Sequence, residues 1–468
     1  MKFKFPTAYT ILFVLIAVVA IATWFVPAGQ YDRVENELLG KAVPVPGSYQ
    51  VVDPQPQGFF DVVLAPIAGF YDPATYEAQA IDVALFVLVI GGFLGIVAHT
   101  GAIDAGIAKA MARMEGHEKW MIPILMALFA AGGTIYGMAE ESLAFYTLII
   151  PVMIAAGYDA AVGVAIIMLG AGVGTLGSTI NPFATVIASD AAGVPFTNGI
   201  MLRFALLGAC WLACVAFVMR YAARVKANPD LSIVADKRES NEAHFLKGKR
   251  ENDAPVAFTG THGVILVIFA ASFGVMIWGV SVGGWWMAEM SGLFLVAAIV
   301  VGLIARMGEE EFTSTFVDGA RDLLGVALVI GIARGIVIVM DAGNITDTIL
   351  YWAEGAVNGL GQVAFINTMF GLQGLLSFLV PSSSGLAVLT MPIMAPLADF
   401  SNVDRSLVVT AYQSASGLVN LITPTSAVVM GGLALGRVPY ERWLKFTLPL
   451  LGVLIVIIMA GLSLSAIA

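Results

Sequence analysis

Charge is what this sequence is short of: Asp, Glu, Lys and Arg make up 12% of its 468 residues, where a soluble chain carries about 25%. So little charge cannot coat a water-soluble body of this size. Cysteine is almost absent, and the two present, Cys210 and Cys214, lie one helical turn apart inside the apolar run LLGACWLACVAF. Such a pair packs as small hydrophobes and implies neither a disulfide framework nor a zinc site. The four histidines, His99, His117, His244 and His262, are scattered and form no ligand cluster. HExxH, a Gly-rich phosphate loop and a haem motif are missing, which argues against metal and redox enzymes and against a self-contained ATP-driven pump. Basic charge is also in the minority. A net charge of −10 offers no basic face, so no nucleic-acid partner is expected.

What the chain has instead is apolar sequence: 59% hydrophobic residues, 50 glycines and a mean hydropathy of +0.89. Glycine is frequent where membrane helices pack closely, and the chain reads as an all-α integral membrane protein. A hydrocarbon core of about 30 Å takes roughly 20 helical residues to cross. That ruler places nine spans near residues 8–26, 81–100, 159–188, 200–222, 259–281, 286–305, 322–341, 404–434 and 446–466. The first is longer than a signal-peptide core and is read as a retained helix.

Charge sets the expected orientation. Lys2, Lys4, Lys109, Arg113, Lys119, Arg220, Arg224, Lys226, Lys237, Arg238, Lys247, Lys249, Arg250, Arg306, Arg321, Arg437, Arg442 and Lys445 all fall on one side of nine alternating crossings. By the positive-inside rule that side is the cytoplasm. The loop from Gln30 to Asp82 holds Asp32, Glu35, Glu37, Asp53, Asp61, Asp72 and Glu77 against Arg33 and Lys41, and suits the outer side. The N-terminus is then cytoplasmic and the C-terminus periplasmic or extracellular.

Residues 120–157 and 360–399 each hold two apolar arms around a polar tip, GMAEES (Gly137 to Ser142) and VPSSSG (Val380 to Gly385). Irregular polar tips within apolar sequence are tolerated only against protein or a watery cavity, so both segments are expected to be re-entrant hairpins rather than full crossings. The chain also repeats itself. PVM at Pro151 and GSTINPFATV at Gly177 are matched by PIM at Pro392 and VNLITPTSAV at Val419; VIGGFLGIV at Val89 is matched by VIGIARGIV at Val329. An odd number of crossings separates the copies, which inverts the second. Residues 1–222 form the expected first repeat, with hairpin 120–157 and broken helix 159–188. A cytoplasmic loop, 223–258, and a linking span, 259–285, lead to the second repeat, 286–468, with hairpin 360–399 and broken helix 404–434. Inverted repeats are the construction of secondary transporters, with sites at the repeat interface; the alternative is a duplicated bundle with no site.

The chemistry concentrates at the repeated breaks. Pro182 and Pro424 cannot continue a helix, and unwinding frees carbonyls beside Ser178, Thr179 and Asn181 in one copy and Asn420, Thr423 and Thr425 in the other. Hard neutral oxygens suit a small cation, which makes Ser178, Thr179, Asn181, Pro182, Asn420, Thr423 and Pro424 candidate sodium positions. The alternative is a proline kink capped by hydroxyls. At the first tip, Glu140 and Glu141 are ionisable groups at membrane depth and candidates for a substrate amine, a coupling cation or a proton. At the second, Ser382, Ser383, Ser384 and Gly385 offer hydroxyls and N–H groups to a carboxylate. Arg334 is read as the one basic residue deep within a span; it clamps a carboxylate or pairs with Glu140. Asp341 and Asp347 are read as solvated or capping, and Asp159 as an N-cap.

The runs YGMAEESLAFYTLIIPVMIAAGYD, GSTINPFATVIASDAAG, VIGIARGI and PSSSGLAVLTMPIMAPLAD resemble the YfcC branch of the C4-dicarboxylate anaerobic carrier family, within the ion-transporter superfamily. The resemblance spans nearly the whole chain. It implies a homodimer in the bacterial inner membrane, with scaffold and transport domains, that carries substrate by an elevator motion. It implies coupling to sodium or protons, or exchange, with no other cofactor. Carried over, the site comprises Glu140, Glu141, Ser142, Ser178, Thr179, Asn181, Pro182, Ser382, Ser383, Ser384, Gly385, Asn420, Thr423, Pro424 and Thr425. The Ser-Asn-Thr tripeptides of the superfamily's dicarboxylate carriers are not intact here. That tilts the expected substrate towards a basic amino acid such as arginine or ornithine, with a C4-dicarboxylate as the alternative. Rival classes fit less well. Gly157-Tyr158-Asp159 is half of an intramembrane aspartyl protease pattern whose Gly-x-Gly-Asp partner is absent, and a channel would place its filter between subunits.

Overall fold

The computed structural model describes residues 8–36, 41–103, 105–106, 109, 118–246, 258–357 and 359–467. Of the residues read from the sequence, Lys2, Lys4, Glu37, Arg113, His117, Lys247, Lys249 and Arg250 lie outside the described residues.

Helices dominate because the apolar runs leave no alternation for sheet and because polar caps start them at the expected places. Asp159 accepts the Val162 N–H (2.8 Å) at the head of helix Ala160–Leu176, as its reading as an N-cap requires. Asp404 accepts the Ser406 N–H (2.7 Å) and starts Arg405–Val419. Among the described residues, eight helices are long and apolar enough to cross a membrane: Ile81–His99, Glu118–Ile135, Ile200–Ala227, Met287–Ala305, Glu309–Ala342, Gln362–Leu379, Ser383–Phe400 and Tyr440–Ile467. Five of them are expected spans. The other three are hairpin arms, which the sequence set apart from the crossings.

Of the other four expected spans, one is the 23-residue helix Gly260–Val282, one is the shorter helix Ala8–Ala22, and two are interrupted helices. Residues 159–188 divide into Ala160–Leu176, an irregular turn at 177–181, a π-turn at Pro182–Val186 and Ile187–Ala192. Residues 404–434 divide into Arg405–Val419 and Ala427–Leu435. Proline and glycine account for both interruptions.

Each expected hairpin is two helical arms joined at its polar tip. The first consists of Met121–Tyr136 and Tyr146–Ala155. Both of its ends are tied to the last turns of helix Ile200–Ala227: Lys226 pairs with Glu118 at 3.5 Å, and Tyr221 donates to Asp159 at 2.5 Å. The second consists of Gln362–Leu379 and Ser383–Phe400. At 1.5 Å per residue the long arms reach about 24 and about 27 Å, just under the hydrocarbon thickness.

Helix Ile81–His99 packs along Glu309–Ala342 through glycine. A Cβ on Gly319 would lie 2.5 Å from the Gly91 carbonyl oxygen, so only glycine permits this backbone approach. The acidic loop after the first helix folds into two short antiparallel ribbons, Gly29–Gln30 with Gln50–Val51 and Arg33–Asn36 with Lys41–Pro44, followed by helix Phe59–Ala68. It is anchored to helix Thr346–Val357 at Asp347, which accepts from the Tyr31 N–H (3.0 Å) and the Arg33 guanidinium (2.9 Å). Asp347 is thus buried and paired rather than solvated.

Candidate functional site

The first break is pinned to its own hairpin. Helix Met121–Tyr136 ends on Gly137 at φ +76, a left-handed conformation that favours glycine, and a Cβ there would lie 2.7 Å from Asn181 Oδ1. Thr134 Oγ1 accepts the Thr179 N–H (2.9 Å), and its carbonyl accepts the Ile180 N–H (3.3 Å). Asn181 Nδ2 donates to the Gly133 carbonyl (3.4 Å) while its Oδ1 accepts from the N–H groups of Phe183 (2.8 Å) and Ala184 (3.2 Å). Asn181 therefore restarts the chain after the break.

Ser178 and Thr185 meet Gln413 from the other broken helix. Gln413 Nε2 donates to the Ser178 carbonyl (2.7 Å), and Thr185 Oγ1 lies 2.8 Å from both Ser178 Oγ and Gln413 Oε1. Two hydroxyl protons are enough to satisfy this cluster from within the protein.

The second break repeats the pinning with one difference. Thr425 Oγ1 donates to the Phe378 carbonyl (2.8 Å), and the Thr423 and Thr425 hydroxyls are 2.7 Å apart. Asn420 Nδ2 donates to the Pro381 carbonyl (3.4 Å), yet its Oδ1 is buried with no partner. Pro424 lines a groove of about 320 Å³ with Phe378, Val419 and Tyr440. For a small cation, the acceptors at the first break are already engaged, whereas the second break offers one that is free.

The tips differ in charge. Glu140–Phe145 forms a 3₁₀ turn in which Glu141 is buried and its Oε2 accepts the Ala139 N–H (3.0 Å). Glu140 is half-buried, and Ser142 Oγ is buried with no partner. No ion pair to Glu140 or Glu141 occurs among the described residues. Opposite in character, Ser382 caps the helix of the second hairpin by accepting the Gly385 N–H (3.2 Å), and the Ser383 carbonyl accepts from the Tyr412 hydroxyl. Ser383 and Ser384 are half-buried at that helix start.

Arg334 does not reach Glu140; its Nη2 donates to Gln79 Oε1 at 3.2 Å. Nor is it the sole basic residue within a span. Arg203, near the head of helix Ile200–Ala227, is almost fully buried; its Nη2 donates to the carbonyls of Phe196 and Asn198, and its Nε and Nη1 are unpartnered. Its place inside the apolar run MLRFALL was the signal for it. Thr134, Thr185 and Gln413 had no such signal, because their roles depend on which helices meet.

The chain matches the family described as C4-dicarboxylate anaerobic carrier over residues 5–466. It is 35% identical over 495 residues to an uncharacterised protein of Haemophilus influenzae, covering 97% of this chain and 96% of that one. It is 33% identical over 490 residues to an Escherichia coli protein provisionally named a basic amino acid antiporter, YfcC, covering 97% and 95%. Among solved structures it is similar to the Neisseria gonorrhoeae MtrF efflux pump, with 17% identity, 98% and 95% coverage and a TM-score of 0.45. It is also similar to the Alcanivorax borkumensis YdaH transporter, with 14% identity, 98% coverage of each chain and a TM-score of 0.42.

Proposed function

The chain belongs to the C4-dicarboxylate anaerobic carrier family and is a membrane transporter rather than an enzyme; from that premise we propose that it is a secondary active carrier of a small amino acid with a cationic side chain. The observation that carries this reading is the first hairpin tip. Two adjacent carboxylates, one of them buried, stand there without a basic partner among the described residues. A buried carboxylate pair is costly unless a cation joins it, and the cationic end of an arginine or ornithine supplies one. The carboxylate of the same substrate finds the N–H groups and hydroxyls of Ser382 to Ser384 at a helix start. The name carried by the Escherichia coli relative agrees with this substrate class. Asn420, with its free Oδ1, and the carbonyls of the second break are the natural place for a coupling sodium ion; a proton on the glutamate pair is the other coupling route.

In this reading the two hairpins and the two broken helices move together, as an elevator, against a scaffold formed by the outer helices of two inverted repeats. Two copies of the chain then associate through their scaffolds in the inner membrane, with the N-terminus in the cytoplasm.

A C4-dicarboxylate is the second reading, favoured by the description of the family. Its second negative charge would face Glu140 and Glu141 and be repelled. Uptake into proteoliposomes decides between the two. Radiolabelled arginine should accumulate and be competed by ornithine, and Glu140→Gln with Glu141→Gln should abolish that uptake. If the double variant instead improves succinate uptake while arginine transport is unaffected, the carrier is a dicarboxylate one.

A further inference from the structure

Four residues from four separate elements gather beside the first hairpin tip. Asp82 begins helix Ile81–His99, and Trp286 immediately precedes helix Met287–Ala305; the Trp286 Nε1 donates to Asp82 Oδ2 at 2.8 Å. The Trp286 ring lies 5.3 Å from that of Phe183, tilted by 60°. Phe183 donates its N–H to Asn181, whose amide abuts Gly137 at the base of the tip. Helix Ile81–His99, whose first turn carries Asp82, in turn packs against the turn Glu140–Phe145, which Glu140 begins. Trp286 is 45% exposed, so the cluster is open on that side. Within the same turn Ser142 Oγ, 1% exposed, has no hydrogen-bond partner.

We propose that Asp82, Glu140, Trp286 and Phe183 form the subsite for an organic cation, the guanidinium or ammonium end of the substrate. Carboxylates alone would take any cation, including a metal ion. Two aromatic rings beside them select a cation that is large and weakly hydrated, because such a group gains from a ring face what a small hydrated ion cannot. A guanidinium also spans two carboxylates with paired N–H groups, and the buried Ser142 hydroxyl is an acceptor for a further one.

The origin of the four residues adds a second consequence. Glu140 and Phe183 belong to the hairpin and broken helix, whereas Asp82 and Trp286 belong to the long helices around them. The subsite is complete only while the hairpin tip stands beside those helix starts. Displacement of the hairpin then divides the cation's partners, which favours release.

This inference rests on the amino acid reading above, and binding measurements on the purified full chain separate the two. The probes are arginine, its neutral analogue citrulline, and succinate. Wild type should bind arginine more tightly than citrulline. Asp82→Asn and Trp286→Leu should each weaken arginine about tenfold and leave citrulline unchanged, while Trp286→Phe, which keeps a ring, should recover most of the loss. Equal weakening of arginine and citrulline, or none of either, in folded variants overturns the subsite and leaves the amino acid reading standing. Wild-type binding of succinate without arginine overturns both. If Asp82→Asn fails to fold, Trp286→Leu and Trp286→Phe carry the same comparison.

Discussion

Asn181 and Asn420 occupy matched positions in the repeated sequence, and their surroundings divide their roles. Asn181 Oδ1 holds two backbone N–H groups that would otherwise lie orphaned after the first break. Its loss leaves them unsatisfied in the interior, a cost of about 1–3 kcal/mol. Asn420 keeps only one long hydrogen bond, and its Oδ1 is free. Asn181→Ala should therefore lower the thermal unfolding temperature in detergent together with transport. Asn420→Ala should leave that temperature within a degree or two and still lose transport. An equal thermal loss in both would mean that Asn420 is structural as well. Residue types at the breaks and tips were legible in the sequence, since Pro, Gly and hydroxyls within apolar runs can mean little else. Whether a given oxygen is spoken for was not legible, because the donors to Asn181 lie two and three residues on and are aimed only by the turn they help to form. Gln413 was hidden for the same reason: it reads as one polar residue in a helix until Ser178 is placed against it.

At the scale of elements, hydropathy located the helices well because lipid and protein interior both reward apolar runs. It could not separate a crossing from a hairpin arm of similar length, nor find helix Arg238–Phe245 in the charged loop. That loop segment is held by side chains that come from elsewhere. Arg442 Nη2 donates to Asp236 Oδ2 (2.9 Å) and its Nη1 to the Ile233 carbonyl (3.0 Å), while Arg437 Nη2 donates to Ser240 Oγ (2.9 Å). The guanidinium of Arg442 holds the Asp236 carboxyl below the usual carboxylate range. A group whose folded pKa is depressed stabilises the fold above its unfolded pKa, about 3.9, and that contribution fades as pH falls through the folded value. The pair is largely exposed, so its worth is under about 1 kcal/mol. Asp236→Asn should speed amide hydrogen exchange across residues 233–245 by roughly fivefold or less at pH 7. Wild type and variant should begin to converge only as pH falls below about 4, and meet once it is below the folded value. Unchanged exchange at pH 7 would show that the clasp contributes nothing to holding the segment.

For the whole molecule, what charge asymmetry proposes and what the fold connects can be tested together. Both ends of the first hairpin are bonded to the end of helix Ile200–Ala227 that leads into the basic loop, through Glu118 with Lys226 and Asp159 with Tyr221. The hairpin thus adds an even number of passages, and helices Ile81–His99, Ala160–Leu176 with its continuation, and Ile200–Ala227 leave an odd number between the acidic loop and the basic loop. On the proposed topology the two loops face opposite sides, and the positive-inside rule predicts that the basic one is cytoplasmic. The native Cys210 and Cys214 are fully buried in helix Ile200–Ala227, so they add little background to thiol labelling. Cysteines introduced at the exposed positions Gln55 and Glu239 report the two loops separately. A membrane-impermeant maleimide added to intact cells should label Gln55→Cys and spare Glu239→Cys, and inside-out vesicles should reverse the pattern. Labelling of both from one side would remove the odd crossing on which an inverted second repeat depends. Labelling with the sides exchanged would keep the inversion but overturn the orientation drawn from charge.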